Sequence, residues 1–199
     1  DYFECFNRSN VELVDLRSTP LQEIVPSGVR PSEEEFDLDV LVLATGFDTN
    51  TGGLTAIDIR GPGNNSLAGA WSDGVYTHLG IAVPGFPNML MLYGPQSSAS
   101  FCNGPTCAEN QGEWVIRLLK RMRDRGHSLI GTTAKMGDAW TAHLAELAES
   151  TLFGRTDSWY MGANIPGKYR QLLNYADSDA YWDHLWNCED SGYEGFVFR

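Results

Sequence analysis

The apolar positions of this chain form short unbroken runs and longer stretches with helical spacing. The run from Leu38 to Asp48, LDVLVLATGFD, is rich in β-branched residues and closes at Ala44-Thr45-Gly46. An apolar run of this length that ends in glycine predicts a strand buried on both faces. Such strands are typical of α/β sheets, where ligands bind in the crevice at the carboxyl ends of the strands. An ordinary core strand without a ligand is the alternative.

Two other segments have strand patterns. Loose alternation over residues 11–16, followed by LQEIV at 21–25 and the turn signal Pro26-Ser27-Gly28, predicts a short β-meander. The apolar run at 88–93, NMLMLY, stops at Gly94-Pro95 and predicts another short strand.

A helix is predicted after the polar loop that follows Gly94-Pro95. Thr106 and Glu109 have the spacing of a capping box, and the apolar spacing continues to a basic last turn before Gly126. The free N–H groups at the start of this helix, from Gly104 to Thr106, can face an electron-rich ligand. A plain strand-to-helix connection whose amides bind water is the alternative.

Two more helices are predicted, over 138–150 with Asp138 as the cap and over 178–189 with Ser178 as the cap. Their aromatic stripes, which include Trp140, Tyr181 and Trp186, indicate core positions. Between the two helices, residues 157–168 (DSWYMGANIPGK) predict a structured loop of the kind that often carries function. The alternative is a surface Ω-loop held by its own aromatic residues.

Composition limits the classes of function. The net charge of −12 argues against nucleic acid or anionic membrane as the main partner, and no apolar run is long enough to span a membrane. The four cysteines have no paired spacing, so we expect them to be reduced. The chain has no initiator Met or secretory signal, and its first residues resemble the middle of a domain, so we expect a fragment of a cytoplasmic protein.

The sequence does not indicate catalytic or metal-binding residues. The histidines at 78, 127, 143 and 184 are scattered, and no nucleophile motif stands beside them. We therefore expect packing or surface roles for the histidines, and we name no general acid, base or nucleophile in this chain.

Four motifs together resemble one enzyme family. ATGFD at 44–48, VPGFPNMLMLYGPQS at 83–97, NGPTCAENQGEWV at 103–115 and DSWYMGANIPGK at 157–168 look like the C-terminal portion of flavin-dependent Baeyer–Villiger monooxygenases, the cyclohexanone-monooxygenase-like group. The resemblance implies an α/β fold with two dinucleotide-binding, Rossmann-like domains. It assigns residues 1–45 to the end of the NADP-binding domain and the return crossover, and residues 46–199 to the C-terminal part of the FAD-binding domain.

The resemblance also implies the reaction and the partners. Such an enzyme uses FAD, NADPH and O2 to insert oxygen next to a ketone carbonyl, giving an ester or lactone. The nucleotide fingerprints and the catalytic residues would lie upstream, so the partner of this chain would be the missing N-terminal half of the same polypeptide. The alternatives are a flavin-dependent N- or S-monooxygenase and a truncated remnant without activity.

Site residues follow from the same resemblance. The implied cofactor-binding residues are Ala44, Thr45, Gly46, Gly94, Pro95, Asn103, Gly104, Pro105, Thr106, Trp159, Asn164 and Lys168. The last three lie in the family's mobile control loop, here 157–168, and the implied ketone-pocket residues are Phe101 and Leu173. Two departures from the family pattern, a longer loop at 96–102 and Asp177-Ser178 in place of Gly-Gly, put substrate size and local loop geometry in question.

Overall fold

The computed structural model describes residues 2–32, 34–97 and 102–199. The chain divides into two compact units, Asp1–Thr45 and Gly46–Arg199. Within the described residues, no helix is long and apolar enough to cross a membrane.

The first unit contains one short 3-10 helix (Phe3–Asn7) and a three-stranded antiparallel sheet. Its strands are β1 (Leu21–Val25), β2 (Gly28–Pro31) and β3 (Phe36–Asp37), in the order β1-β2-β3. The predicted turn between β1 and β2 is confirmed, whereas residues 11–16 form no strand. Exposed Arg30 lies between Glu23 and Glu35 across the sheet, with N–O distances of 2.7 and 2.8 Å. Exposed ion pairs of this kind contribute little to stability.

The predicted buried strand at 38–48 is wrong. Residues 38–48 have no strand structure, and the side chains of Val40, Val42 and Phe47 are 74%, 79% and 84% exposed. A strand needs hydrogen-bonding neighbours for its N–H and C=O groups, and none of the strands in the described residues pairs with this segment. The predicted strand at 88–93 is also wrong, since Leu90 makes only an isolated bridge to Ala82.

The second unit is built on three long helices. They are α3 (Gly104–Asp124), α4 (Ala134–Glu149) and α5 (Ser178–Asp190), preceded by two four-residue helices, α1 (Gly52–Thr55) and α2 (Leu67–Ala70). An antiparallel pair, β4 (Ile130–Thr132) with β5 (Phe196–Phe198), ties the chain end to the segment between α3 and α4. Short 3-10 helices cover Pro62–Asn64, Phe153–Arg155 and Trp159–Met161.

Helical spacing places the apolar faces of the long helices in one core. This core includes Trp114, Leu118, Trp140, Leu144, Tyr181 and Leu185. The predicted core position of Trp186 is wrong, because its side chain is 38% exposed and lies against the Arg117 guanidinium, 4.7 Å from the ring centre. A second cluster surrounds Leu67 and includes Leu173.

All three predicted helix caps are displaced along the chain. The observed N-caps are Asn103, Thr133 and Asp177 rather than Thr106, Asp138 and Ser178. In each case the side-chain oxygen of the N-cap residue accepts a hydrogen bond from an N–H in the first turn. Several cap-forming residues stand close together before each helix, so local pattern does not decide between them.

The expectation of reduced cysteines is wrong for one pair. Cys102 and Cys107 form a disulfide at the start of α3, with Cα atoms 6.4 Å apart. Cys5 and Cys188 are free thiols. Burial raises the pKa of the Cys188 thiol to about 12, so this thiol stays protonated at neutral pH.

His78 is the most deeply buried histidine of the described residues. Its side chain is 4% exposed, and both ring nitrogens are withdrawn from water. Burial lowers its pKa from 6.5 to about 4, and the backbone of Glu194 opposes this shift only in part. His78 is therefore neutral at pH 7.

We expect His78 to make the fold sensitive to acid. The unfolded state binds a proton on His78 below pH 6.5 and the folded state only below about pH 4, so stability falls as the pH drops through this window. The loss reaches roughly 3 kcal/mol below pH 4, since each pKa unit corresponds to about 1.4 kcal/mol. Urea unfolding of the whole chain between pH 7 and pH 4 measures this loss.

Two variants isolate the contribution of His78. The loss should shrink in His78→Phe and persist in His127→Phe, a half-buried histidine elsewhere in the chain. His184, whose pKa is also lowered by burial and by His143, adds to the slope in all three proteins. Equal pH dependence in wild type and His78→Phe would contradict the prediction.

Candidate functional site

The Gly94–Ser97 turn is held in place by the side chain of Gln96. Gln96 is fully buried, and its Oε1 accepts hydrogen bonds from Thr77 N (3.0 Å) and Thr77 Oγ1 (2.6 Å). Its Nε2 donates to Val75 O (3.1 Å) and Thr141 Oγ1 (3.3 Å). A buried amide with all its groups paired fixes the backbone beside it. The predicted cofactor residues Gly94 and Pro95 therefore lie on a rigid turn.

Close backbone packing fixes the same turn from the other side. Gly80 has φ +66°, and a Cβ on it would lie 2.4 Å from the Ser97 nitrogen, so this position requires glycine. Ser97 Oγ donates to Gly94 O at 2.6 Å, and Ser97 O accepts from Tyr175 N at 2.8 Å. The turn is thus tied to the segment that precedes α5.

The start of α3 lies next to Tyr93. A Cβ on Gly104 would lie 3.3 Å from the Tyr93 ring. The Tyr93 N–H donates to Gln111 Oε1 on the buried face of α3, and Gln111 Nε2 donates to the Tyr181 hydroxyl at 2.8 Å. These bonds attach the turn, α3 and α5 to one another. The predicted residues Gly94 and Gly104 are therefore connected through Tyr93, which precedes Gly94 and whose ring lies beside Gly104.

The N-terminus of α3 retains some capacity to bind a ligand. Asn103 is exposed, and its Oδ1 accepts from Thr106 N at 3.5 Å, a long contact for a hydrogen bond. Pro105 contributes no N–H group. The helix dipole and the weakly capped N–H favour an electron-rich group at this end.

The 157–168 loop presents its tryptophan to solvent. Trp159 is 43% exposed and stacks on Tyr160, with ring centres 3.9 Å apart. Tyr160 in turn packs against Phe153 at 5.2 Å. Gly162, at φ +74°, turns the chain after the Trp159–Met161 helix. The indole is thus supported on one face and accessible on the other.

A polar clamp joins this loop to the segment after Gly46. Lys168 Nζ contacts the Asp48 carboxylate and donates to Thr51 Oγ1 at 2.6 Å. Asn164 Nδ2 donates to Phe47 O at 2.9 Å. The Lys168 side chain is only 16% exposed, so its charge is partly withdrawn from water and depends on these partners. We call Lys168, Asp48 and Thr51 the loop clamp.

A cavity of about 330 Å³ lies beside the clamp. Its wall contains all three clamp residues together with Trp71, Tyr169 and Leu173. Leu173 is also part of the chain's core, since it is 1% exposed, and its N–H donates to Tyr160 O at 3.0 Å. A small organic molecule in this cavity would contact both apolar side chains and the charged groups of the loop clamp.

The predicted site residues fall into separate groups. Asn164 and Lys168 lie with Gly46, because the Asn164 amide is 3.7 Å from the position a Gly46 Cβ would take. Gly94 and Pro95 follow Tyr93, whose ring lies beside Gly104 at the start of α3. Ala44 and Thr45 belong to the first unit, and Phe101 lies outside the described residues.

Three residues that fix this site escaped sequence reasoning. Gln96 and Asp48 sit inside the motifs that carry the resemblance, and Thr51 lies three residues after one of them, yet their partners in these contacts are 19 to 120 positions away along the chain. A polar residue next to a Gly-Pro turn is the only local signal for Gln96. The sequence around Asp48 and Thr51 gives no local signal of their role.

Comparison with known proteins defines the class as flavin-dependent monooxygenases. The chain is 44% identical over 196 residues to cyclopentanone 1,2-monooxygenase of Comamonas sp. (strain NCIMB 9872), covering 98% of this chain and 36% of that protein. It matches a closed crystal structure of cyclohexanone monooxygenase with TM-score 0.91 and 35% identity, and the FAD and NADP complex of OTEMO with TM-score 0.89 and 36% identity. Each match covers 100% of this chain and 37% of the solved chain.

No family model matches the sequence. The relatives and the solved structures nevertheless agree along the whole chain, and the resemblance noted in the motifs is confirmed. The chain belongs to the Baeyer–Villiger monooxygenase family and spans little more than a third of the length of the relatives it matches.

Proposed function

We propose that this chain is the C-terminal part of an FAD- and NADPH-dependent Baeyer–Villiger monooxygenase. The complete enzyme inserts one oxygen atom of O2 next to a ketone carbonyl and releases an ester or lactone. The agreement in sequence and backbone with ketone monooxygenases over the full chain is the observation that carries this proposal. We assign the enzyme to the cytoplasm, where NADPH is available.

The second unit fits a flavin at the start of α3. The weakly capped first turn offers an N–H to the electron-rich edge of a flat ring system. FAD reduced by NADPH would supply the activated oxygen that enters the ketone. The role of this chain is to orient the ring and to stabilise negative charge on it through Asn103, Thr106 and the helix dipole.

The 157–168 loop fits a nicotinamide cofactor. Trp159 presents an accessible indole, and the loop clamp holds the second half of the loop against residues 46–51. A closed loop excludes water from the reacting groups and keeps the cofactor in position. We assign Trp159 to direct contact with NADP and Asn164 and Lys168 to loop positioning. Leu173 then supports the ketone side of the cavity beside the clamp.

The exposed apolar run supports a longer polypeptide. Val40, Val42 and Leu43 are each more than two-thirds exposed, which costs hydrophobic free energy in water. Strand partners from an N-terminal half would cover this run and complete a two-dinucleotide-domain fold. In that fold, residues 1–45 end the NADP-binding domain and residues 46–199 belong to the FAD-binding domain. Ala44, Thr45 and Gly46 would then lie at the crossover between the two domains.

Purification of the native polypeptide tests the proposal. We expect an intact mass well above 22.0 kDa, a yellow flavin absorption spectrum and NADPH-dependent conversion of cyclopentanone to its lactone. A thioether assayed in parallel tests for S-oxygenation.

The outcomes separate the alternatives. Oxygenation of the thioether with no lactone from a series of ketones would replace the proposal with an N- or S-monooxygenase. A colourless polypeptide of 22.0 kDa would overturn the enzyme assignment and leave a remnant that has lost its cofactors.

A further inference from the structure

The Cys102–Cys107 disulfide joins the two residues that fix how the chain enters α3. With Asn103 as the N-cap, Cys102 is the residue before the cap and Cys107 is the fourth residue of the helix. Apolar side chains at these two positions often pack together and set the entry angle of the chain. The two Cα atoms are 6.4 Å apart, within the range that a disulfide spans. The disulfide makes this packing contact covalent.

The disulfide encloses the first turn of α3. The enclosed residues are Asn103, Gly104, Pro105 and Thr106. Asn103 Oδ1 accepts from Thr106 N over 3.5 Å, and Pro105 has no N–H group. The Cys107 N–H donates to Asn103 O at 3.0 Å and closes the turn. The disulfide therefore restrains a turn that has only weak capping of its own.

The two cysteines differ in access to solvent. Cys102 is half-buried, whereas Cys107 is fully buried. The thiolate of a small thiol therefore attacks the Cys102 sulfur and forms a mixed disulfide with it. The Cys102–Cys107 bond breaks, and its electron pair goes to the Cys107 sulfur, which takes up a proton. The positive end of the α3 dipole favours the negative charge on Cys107 as it leaves.

A second small thiol completes the exchange. Its thiolate attacks the outer sulfur of the mixed disulfide and releases Cys102 as a thiol. The protein has then gained two electrons and two protons, and the two small thiols have become one small disulfide. The reverse exchange with a small disulfide re-forms the Cys102–Cys107 bond. No reactant other than the small thiol and its disulfide is needed.

The position of this disulfide favours a reversible role over a structural one. The two cysteines are only 5 positions apart, and a disulfide that closes a short loop constrains the unfolded chain less than one that closes a long loop. Disulfides of cytoplasmic proteins are usually catalytic or redox-sensing, because thiols keep that compartment reducing. This step rests on the cytoplasmic location given with the proposed function.

We propose that Cys102 and Cys107 form a reversible oxidation site that controls the order of the first turn of α3. The oxidised pair holds the turn closed, and small thiols release it. In the complete enzyme, reduction of the pair loosens Asn103 and Thr106. Since the proposed function assigns these two residues to the flavin, the oxidation state of the pair then sets how firmly the flavin ring is held.

Glutathione buffers test whether the pair is reversible. The whole chain is incubated at varied ratios of reduced glutathione to glutathione disulfide, and alkylation followed by peptide mass spectrometry identifies the paired cysteines. We expect an excess of reduced glutathione to open the Cys102–Cys107 bond and an excess of the disulfide to re-form it. A pair that stays oxidised at every ratio, or that does not re-form, would overturn the proposal.

Hydrogen exchange measures the effect on the turn. The Cys107 N–H should exchange about fivefold faster in the reduced form, the factor that corresponds to the loss of a helix N-cap. The Arg125 N–H, bonded to Arg121 O at the other end of α3, should exchange at an unchanged rate. Equal exchange of the Cys107 N–H in the two forms would overturn the proposal.

Two variants locate the effect. Cys102→Ser cannot form the disulfide and should exchange at the faster rate in both buffers. Cys5→Ser, at a free thiol in the first unit, should respond to glutathione like the wild type. A response that persists in Cys102→Ser, or that is lost in Cys5→Ser, would overturn the proposal. None of these measurements involves flavin or monooxygenase activity, so their outcome is separate from that of the proposed function.

Discussion

Replacing Gln96 by leucine should destabilise the second unit by about 3 kcal/mol. The change puts an apolar side chain of similar size in place of the amide and removes four hydrogen bonds from a residue that is fully buried. The Thr77 N–H then has no acceptor from Gln96, and a buried unpaired donor costs about 1–3 kcal/mol in addition to the lost bonds. Val75 O is affected less, because it also accepts from Gln171 Nε2 at 2.9 Å.

Urea unfolding of the whole chain at neutral pH measures this effect. Gln22→Leu is the matched control, since Gln22 is an exposed residue of β1 in the first unit and should change the unfolding free energy by less than about 0.5 kcal/mol. In the complete enzyme, Gln96→Leu should also lower the fraction of molecules that retain flavin, because the Gly94–Ser97 turn loses its support. A variant as stable as Gln22→Leu would show that Gln96 does not fix this turn.

Helices could be predicted from this sequence because their determinants are local. The apolar spacing predicted α3 as a helix but did not identify its buried face correctly. Ile116 and Leu119 keep the helical spacing yet are 53% and 48% exposed, whereas Trp114 and Leu118 are buried. Gly126 marks the end of α3, one residue after the C-cap Arg125. The caps were misplaced by one to five residues because neighbouring Asn, Thr, Ser and Asp residues can all cap a helix.

The strand at 38–48 could not be judged from its own residues. Its apolar run indicates side chains that favour burial. A strand forms only where neighbouring strands pair with its backbone N–H and C=O groups. The described residues supply no such neighbour. The pattern therefore predicts burial between strands that the described residues do not contain.

The site shows the same division between local and distant determinants. The 157–168 segment was predicted as a structured loop from its Gly, Pro, Asn and aromatic residues, and the structure confirms turns at Gly162 and Gly167. What holds the loop is the contact of Lys168 with Asp48, which are 120 positions apart. A single sequence contains no pattern that predicts a contact between two residues so far apart along the chain.

Replacing Lys168 by methionine should release the 157–168 loop. The ammonium group contacts Asp48 and Thr51 from a position that is 16% exposed, whereas the Asp48 carboxylate is 40% exposed and can be solvated after the change. We therefore expect the closed loop to lose about 1–2 kcal/mol, less than for a fully buried pair. This corresponds to a roughly tenfold larger open population.

Hydrogen exchange of the loop amides reports the opening directly. The N–H groups of Gly162, Ala163 and Ile165 are hydrogen-bonded within the loop and should exchange about tenfold faster in Lys168→Met. Lys135→Met, at an exposed lysine of α4, is the control and should leave their exchange unchanged.

A double-mutant cycle distinguishes a clamp from two separate contributions. Asp48→Asn removes the other half of the ion pair, so Asp48→Asn, Lys168→Met and the double variant should open the loop to similar extents. In the complete enzyme, each should increase NADPH oxidation that yields hydrogen peroxide instead of ester, because an open loop admits water to the reacting groups. Additive effects of the two substitutions, or faster exchange without any loss of ester yield, would show that the Asp48–Lys168 contact does not control loop closure.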